Sequence, residues 1–189
     1  HIYQLVLYLL LFAVSDIGGK RTVDLQALVE GAISLLGHKL QAKPRRLPIE
    51  IHKQYQQQPQ IECYSAALSQ ALIGILLAYI SQIESARNDM EDNAPEISID
   101  MRLISDSWVS LSVSSDFSQS LDVKNSASHQ EASDILLSGD NISLQLAHDV
   151  VVKQHGGRLS QCNELGRTKT TIELPTVSTV TASMPAISR

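Results

Sequence analysis

The chain has 189 residues, of which 43% are hydrophobic, 19% charged and only 4% aromatic, so it can bury one sizeable core that must be aliphatic. Its formal net charge of -5 argues against nucleic acid as a partner, because phosphate binding requires a basic surface. Two cysteines, Cys63 and Cys162, are too few for a disulfide framework or a zinc site. We expect both to be reduced thiols in a cytoplasmic protein.

The first part of the chain is an apolar run from Leu5 to Val14. This run is too short to span a bilayer, which takes about 20 residues, and it lacks the basic start and the cleavage site of a signal peptide. We therefore expect no membrane span in it. Residues 1–16 are interpreted as the end of a helix whose apolar stripe is buried in a homodimer interface or on the domain itself.

A helix, a strand and a turn are predicted next. Asp24 is a plausible N-cap for a helix that continues to about Lys43, and Pro44 ends it. The alternation from Arg46 to His52 predicts a strand. The glutamine-rich segment from Gln54 to Gln60 is expected to be a polar turn.

The middle of the chain carries the longest predicted helix, from about Ser65 to Ala86. It is apolar nearly all round in its middle, which indicates burial against a sheet. Two alternating segments, Ile97–Leu103 and Val109–Val113, predict a β-hairpin with a turn near Asp106. The polar segment from Ser114 to Asn141 is expected to be a long loop.

The last third predicts a helix followed by two strands. The helix runs from Leu144 to His155 and is closed by Gly156 and Gly157, so His155 is interpreted as part of a structural cap rather than as a catalytic residue. Pro175 ends the fold, and the Ser/Thr-rich tail is expected to be mobile. The two final strands are Arg158–Cys162 and Thr168–Leu174.

This order of elements predicts an α+β fold, a two-layer sandwich with one mixed sheet and the helices on one of its faces. Strands and helices do not alternate strictly, and consecutive strands form hairpins. We expect three parts: residues 1–16 as the end of a dimerisation helix, residues 17–175 as the folded domain and residues 176–189 as the tail.

Several segments carry a resemblance to a known family. VVKQHGGRL (151–159) and TIELP (171–175) are similar to the family's last helix end and closing strand. VDLQALVEGA (23–32) is similar to the entry into its first helix, and LLLFAVSDIGGK (9–20) to the end of its second dimerisation helix. The family is the ATP-binding domain of sensor histidine kinases, with the GHKL or Bergerat fold.

The resemblance implies a magnesium-dependent nucleotide site, from which this sequence departs. In the family, asparagine on the second helix coordinates the magnesium that bridges the ATP phosphates. Gly74 and Ala78 stand at the corresponding positions, and the side chain of Ala78 has no oxygen with which to ligate a hard cation. Because of these departures we expect no metal site and no catalytic residue in this chain.

The family's two glycine-rich stretches are also altered. The first, with the aspartate that accepts from the adenine amino group, corresponds to residues 115–120, where Asp116 matches only after a shift of one residue. The second, which cradles the phosphates, reads Ile-Ser-Leu-Gln at residues 142–145 and keeps only Gly139. Asp116, Gly139 and Thr168 are the expected remnants of the nucleotide pocket.

We therefore predict a two-component signalling module that resembles a histidine kinase domain, has no bound cofactor and acts through protein contacts. The expected partners are a second copy, through the N-terminal helix, and a response regulator or a partner kinase. One alternative is a histidine phosphotransferase with an ATPase-like docking domain. The other is a divergent active histidine kinase domain, which would bind ATP and magnesium.

Overall fold

The computed structural model describes residues 19–42, 47–86, 94–115, 142–164 and 167–177. The predicted dimerisation helix of residues 1–16 lies outside this part of the chain, as does most of the predicted loop between Ser114 and Asn141. Structural statements below concern the described residues.

The described chain contains four α-helices, one π-helical segment and seven strands. In order, they are β1 (Arg21–Asp24), α1 (Leu25–Leu35), α2 (Gly37–Leu40), β2 (Glu50–Tyr55), β3 (Gln60–Cys63), α3 (Ser65–Ala86), β4 (Glu96–Ser105), β5 (Trp108–Ser115), α4 (Ile142–His148), the π-helical segment Asp149–Gln154, β6 (Arg158–Glu164) and β7 (Arg167–Pro175).

Five strands form one mixed sheet in the order β2-β4-β5-β7-β6. The β2–β4 pair is parallel, and the other three pairs are antiparallel. Along β4, Ile97, Ile99 and Met101 are buried while Ser98 and Asp100 between them are partly exposed. One face of the sheet therefore packs against the helices, and the predicted two-layer α+β architecture is confirmed.

The remaining two strands, β1 and β3, form a separate antiparallel sheet that the sequence pattern did not predict. The prediction of a polar turn from Gln54 to Gln60 is correct only for the middle of that segment, because β2 continues to Tyr55 and β3 begins at Gln60. These strands were missed because β1 and β3 have four residues each, which is too short for an alternating pattern to stand out.

The first helix begins where the sequence predicts it. Asp24 is its N-cap, and a carboxylate oxygen accepts a hydrogen bond of 2.9 Å from the backbone N–H of Gln26. The predicted continuous helix to Lys43 is wrong, because α1 ends at Leu35 and a short α2 follows it. The next strand also starts later than expected, at Glu50 rather than Arg46, and Leu47, which precedes it, is 42% exposed.

Helix α3 is the central element of the core, and its predicted bounds are confirmed. It packs against α1 and α4, and an almost continuous run of its residues from Leu68 to Ile83 is buried. By length and composition α3 also passes as a membrane span, but 67% of its most apolar window is buried inside the domain. Its apolar character is that of a core helix.

The helix before the last two strands is not a single α-helix. It is α-helical over α4 and π-helical from Asp149 to Gln154. Gly156 follows in the left-handed conformation with φ of 63°, which a side chain would strain.

After β7 the chain stays paired, because Thr176 donates its N–H to the carbonyl of Ser107 and Val177 donates its N–H to that of Gln60. Hydrogen bonding to the domain therefore extends two residues beyond Pro175.

Candidate functional site

The buried phenol of Tyr79 marks a polar contact between α3 and the sheet. The Tyr79 residue is 2% exposed, and its ring extends from α3 to the strands β5 and β7. Its hydroxyl lies 2.9 Å from the carbonyl oxygen of Val113, 3.0 Å from Oγ1 of Thr170 and 3.3 Å from the carbonyl oxygen of Thr168. A single side chain therefore joins the core helix to two neighbouring strands.

The hydrogen bonds around Tyr79 form a directed chain across the sheet. Gln161 Nε2 donates to Thr170 Oγ1 at 3.4 Å, so the Thr170 hydroxyl is free to donate to the Tyr79 oxygen. The Tyr79 hydroxyl then donates to the nearer carbonyl, that of Val113. The register explains this order, because Val113, Thr170 and Gln161 are successive cross-strand partners on β5, β7 and β6.

Burial also sets the ionisation of Tyr79. Removal from water raises the pKa of Tyr79 to about 12, although hydrogen bonds with Thr170 act in the opposite direction. The phenol is therefore neutral at physiological pH and acts as a hydrogen-bonding group. Thr170 is itself only 1% exposed, so the centre of the network is shielded from bulk water, whereas Gln161 and Thr168 are partly exposed.

Two of the positions singled out by the resemblance lie at this contact. The carbonyl oxygen of Thr168 lies 3.3 Å from the Tyr79 hydroxyl, and Thr168 pairs with Ser115 at the end of β5. Ala78 immediately precedes Tyr79 on α3 and is partly exposed. The structure therefore brings Thr168 and the α3 segment around Ala78 together, whereas Asp116 and Gly139 lie outside the described residues.

This arrangement can donate and accept hydrogen bonds but offers little to a metal ion. Gly74 and Ala78 bring no side-chain oxygen to this stretch of α3. Within the described ranges, no group of three or more His, Cys, Asp or Glu side chains is placed to hold a metal. Among those residues, the α3 positions do not fit magnesium, which needs oxygen ligands.

A second polar contact joins the beginning of α3 to the end of the π-helical segment. His155 Nδ1 donates to the carbonyl of Val150 at 2.7 Å, and Nε2 accepts from the backbone N–H of Tyr64 at 3.0 Å. Burial is the main cause that lowers the pKa of His155, and the nearby charge of Lys20 adds to it. The neutral ring is thus a structural link, which confirms and extends the predicted cap role.

A third contact fastens α1 to the edge strand β2. Both carboxylate oxygens of Glu30 lie 3.0 Å from Lys53 Nζ, and Tyr55 donates to one of them at 2.9 Å. The hydrogen bond from Lys53 lowers the pKa of Glu30, whereas burial together with the carboxylate raises that of Tyr55. These groups hold a helix on the sheet edge and satisfy one another.

The sequence pattern placed Tyr79 only among the apolar positions of α3, so its role in the site was missed. The available signal was its immediate position after Ala78, together with the rule that a buried Tyr hydroxyl usually finds a partner. The partner strands could not be named beforehand, because the contact depends on how α3 lies across β5 and β7.

No protein-family profile matches the sequence, and no curated protein does either. Solved structures do match. The nucleotide-free catalytic domain of histidine kinase ThkA is similar over 84% of this chain and 96% of its own, with a TM-score of 0.63 and 16% identity.

Two larger structures match this chain with part of their length. ThkA in complex with the response regulator TrrA gives a TM-score of 0.63 at 15% identity, over 94% of this chain and 48% of that one. Full-length ShkA in complex with AMPPNP gives a TM-score of 0.64 at 18% identity, and the match covers 94% of this chain and 36% of ShkA. The described domain therefore has the fold of the catalytic, ATP-binding domain of histidine kinases.

Proposed function

We propose that this chain is a two-component signalling module that acts through protein contacts and does not depend on bound nucleotide. The observation that carries the proposal is the α3 segment at residues 74–79. At two positions where the resemblance implies magnesium-binding asparagine, it carries Gly74 and Ala78, and the next residue fills the space toward Thr168 with a hydrogen-bonded phenol.

The physical argument rests on what the nucleotide needs. The phosphates of ATP require magnesium or basic groups to offset their charge, and magnesium requires oxygen ligands. Ala78 supplies none. The alterations at residues 115–120 and 142–145 of the sequence point in the same direction, because side chains there replace glycines whose amides approach phosphate closely.

The proposed partners are inferred from the fold and from the apolar segment at residues 1–16. ThkA, which shares this fold, has been solved in complex with a response regulator. We infer a response regulator or a partner kinase as the ligand of this chain, and a second copy as the partner of residues 1–16. A histidine phosphotransferase with an ATPase-like docking domain would use the same partners. Phosphoryl transfer, measured after a phosphoacceptor helix has been fused to the chain, would distinguish it.

The test of nucleotide independence is a thermal unfolding titration with Mg-AMPPNP. One site adds about 2.7 kcal/mol when the ligand is 100-fold above its dissociation constant, a clear rise in Tm for a domain of this size. We expect no rise for this chain, whereas ShkA, solved with AMPPNP, serves as the positive control. A saturable rise in this chain would instead support the alternative of a divergent active kinase domain.

A further inference from the structure

The outer sheet face, which is the side of the five-stranded sheet turned away from the helices, has a row of small hydroxyl side chains at its centre. Along the middle strand β5, Leu111 and Val113 are buried toward the helices, so Ser110, Ser112 and Ser114 point to the other side. Small side chains in this row leave the middle of the face open to close approach by a second sheet, because packed sheets meet through their facing side chains.

Two of these serine hydroxyls are buried without a partner. Ser110 and Ser112 are 6% and 8% exposed, and neither hydroxyl is hydrogen-bonded to any other residue that the structure describes. A buried polar group that stays unsatisfied costs free energy. A hydroxyl both donates and accepts, so the same serine of a second copy is a chemically suitable partner.

The strands on either side of β5 carry opposite charges at matching positions. Ser110 is paired with Arg102 of β4 on one side and with Glu173 of β7 on the other. A two-fold rotation about the line of β5 exchanges β4 with β7. A second copy laid face to face in this way therefore places its Glu173 over Arg102 and its Arg102 over Glu173.

The other end of the same two strands repeats this arrangement with the charges reversed. Ser115 is paired with Ile97 of β4 and with Thr168 of β7. The residues just before these two, Glu96 and Arg167, therefore occupy matching outward positions. The same rotation brings Glu96 onto Arg167 of the second copy, so both ends of the face are complementary in charge to themselves.

We propose that the outer sheet face is a homodimer interface, formed with a second copy about a two-fold axis along β5. The serine row lies on the axis, and the two kinds of charge pair, Arg102 with Glu173 and Glu96 with Arg167, lie on both sides of it. This contact is separate from the one proposed for residues 1–16, and it goes beyond the proposed function because it does not depend on nucleotide.

Trp108 and Arg158 add an anchor at one end of the axis. Trp108 is the next outward residue of β5 after Ser110 and is partly exposed. The guanidinium of Arg158 lies 5.2 Å from its ring centroid and 3.5 Å from the carboxylate of Glu173. Tryptophan and arginine are the residue types most enriched among side chains that dominate protein interfaces.

The same chemistry argues against another segment of the chain as the occupant. The apolar run from Leu5 to Val14 carries no charged side chain, so it leaves Arg102 and Glu173 without opposite charges. Covering charges with apolar groups costs desolvation without compensation. A second copy supplies the missing charges in the required positions.

Cysteine cross-linking of the full chain tests the contact at the axis, where each residue meets its own counterpart. Ser114 is partly exposed and lies on the axis, and Cys162→Ser removes the exposed native thiol from the background. With a mild oxidant, we expect Ser114→Cys to form a covalent dimer about tenfold faster than Gln154→Cys, because a dimer already formed holds the two thiols at high effective concentration. Gln154 is the matched control, since it is exposed in the π-helical segment on the other side of the sheet.

Charge reversal in the Ser114→Cys background tests the orientation of the two copies. Arg102→Glu alone, or Glu173→Arg alone, brings like charges together twice in each dimer, and we expect each to slow cross-linking about tenfold. A mixture of the two variants has opposite charges at both contacts, so its cross-linking recovers. That recovery also shows that both variants are folded. Arg21→Glu, which reverses an exposed charge on β1, is expected to have no effect.

Two results overturn the proposal. Equal rates for Ser114→Cys and Gln154→Cys mean that the outer sheet face does not meet its own copy, whatever other protein it contacts. A mixture that cross-links no faster than either reversed variant alone means that the charges do not define the contact. Association through residues 1–16 is common to all these proteins, so it does not distinguish Ser114→Cys from its control. Neither result affects the Mg-AMPPNP titration, which tests the proposed function separately.

Discussion

Two hydrogen-bonded contacts of α3, one at its beginning and one in its second half, differ in how closely their residues match the histidine kinase domains. At its beginning, Tyr64 is held by His155, which belongs to the VVKQHGGRL segment that is similar to histidine kinase domains. Near its end, Tyr79 is held by Val113 and Thr170, where the sequence departs from the nucleotide motifs. The first contact depends only on packing within the chain. The second lies directly beside Ala78, where the resemblance implies a magnesium-binding asparagine.

The packing contacts of a fold can therefore be kept while the chemistry of its site changes. The turn at His155–Gly157 must be kept whatever the domain does, because it connects the π-helical segment to β6. The stretch at residues 74–79 can change its chemistry as long as the core stays filled.

At the turn of His155–Gly157, we expect a large loss of stability in Gly157→Ala. A Cβ at this position would lie against the carbonyl oxygen of Glu173 and 3.0 Å from side-chain atoms of Leu174 and Val151. Overpacking against backbone costs about 3 kcal/mol, at the upper end of the usual range, measurable by urea unfolding. Gly156→Ala is the matched control, because the space around it is open and only its positive φ is strained, at a cost of about 1 kcal/mol. Equal losses in both variants would contradict the steric explanation.

On the site side, Tyr79→Phe keeps the ring but removes the hydroxyl. The buried carbonyl of Val113 then loses its donor, and Thr170 loses an acceptor. We expect a loss of about 2 kcal/mol, the cost of leaving buried polar groups unsatisfied, read from the urea midpoint. A neutral result would show that the ring alone, without its hydrogen bonds, holds α3 on the sheet.

The His155 contact predicts a pH dependence with a defined sign. Burial lowers the pKa of His155 below its usual 6.5, so between these values the unfolded chain binds a proton that the folded chain does not. Stability from the neutral ring is therefore complete above the unfolded pKa of 6.5 and is lost as the pH falls from there through the lower pKa of the folded state. His155→Gln lacks this dependence, so the stability difference between the native chain and the variant should shrink from pH 7.5 to pH 5.5. A difference that grows at low pH would mean that the ring is charged in the folded state.

Asp24→Ala is expected to have the smallest effect and serves as a reference away from both contacts. It removes the carboxylate that accepts from Gln26 at the start of α1, at a cost of about 1 kcal/mol. Thermal unfolding measures it, and Asp24→Asn, which keeps an acceptor, should recover most of the loss. If asparagine is no better than alanine, the side-chain cap contributes nothing to stability.

Much of the fold could be predicted because its elements are long or carry clear end signals. The bounds of α3, the hairpin around Asp106 and the Asp24 cap all follow from local patterns. The small β1–β3 sheet and the late start of β2 could not be predicted in this way. Both depend on pairing between segments that are distant in the sequence. One example is the hydrogen bond that the N–H of Glu50 donates to the carbonyl of Pro95.

Only part of the candidate site could be predicted, again because it depends on contacts between distant segments. Thr168 and Ala78 could be named from the resemblance, and the structure places Thr168 and the α3 segment at one contact. The hydrogen bonds of Tyr79 join residues that are 34 and 91 positions apart in the sequence. No local pattern encodes a contact over that separation, so a tyrosine in an apolar helix could be assigned only to the core.

A crystal structure of the chain grown with saturating Mg-AMPPNP is the most direct test of nucleotide independence. We expect the Tyr79 ring to stay between α3 and the sheet, with its hydroxyl on Val113 and Thr170, and no nucleotide to lie beside Thr168. A nucleotide bound there, with Tyr79 displaced from these partners, would contradict it.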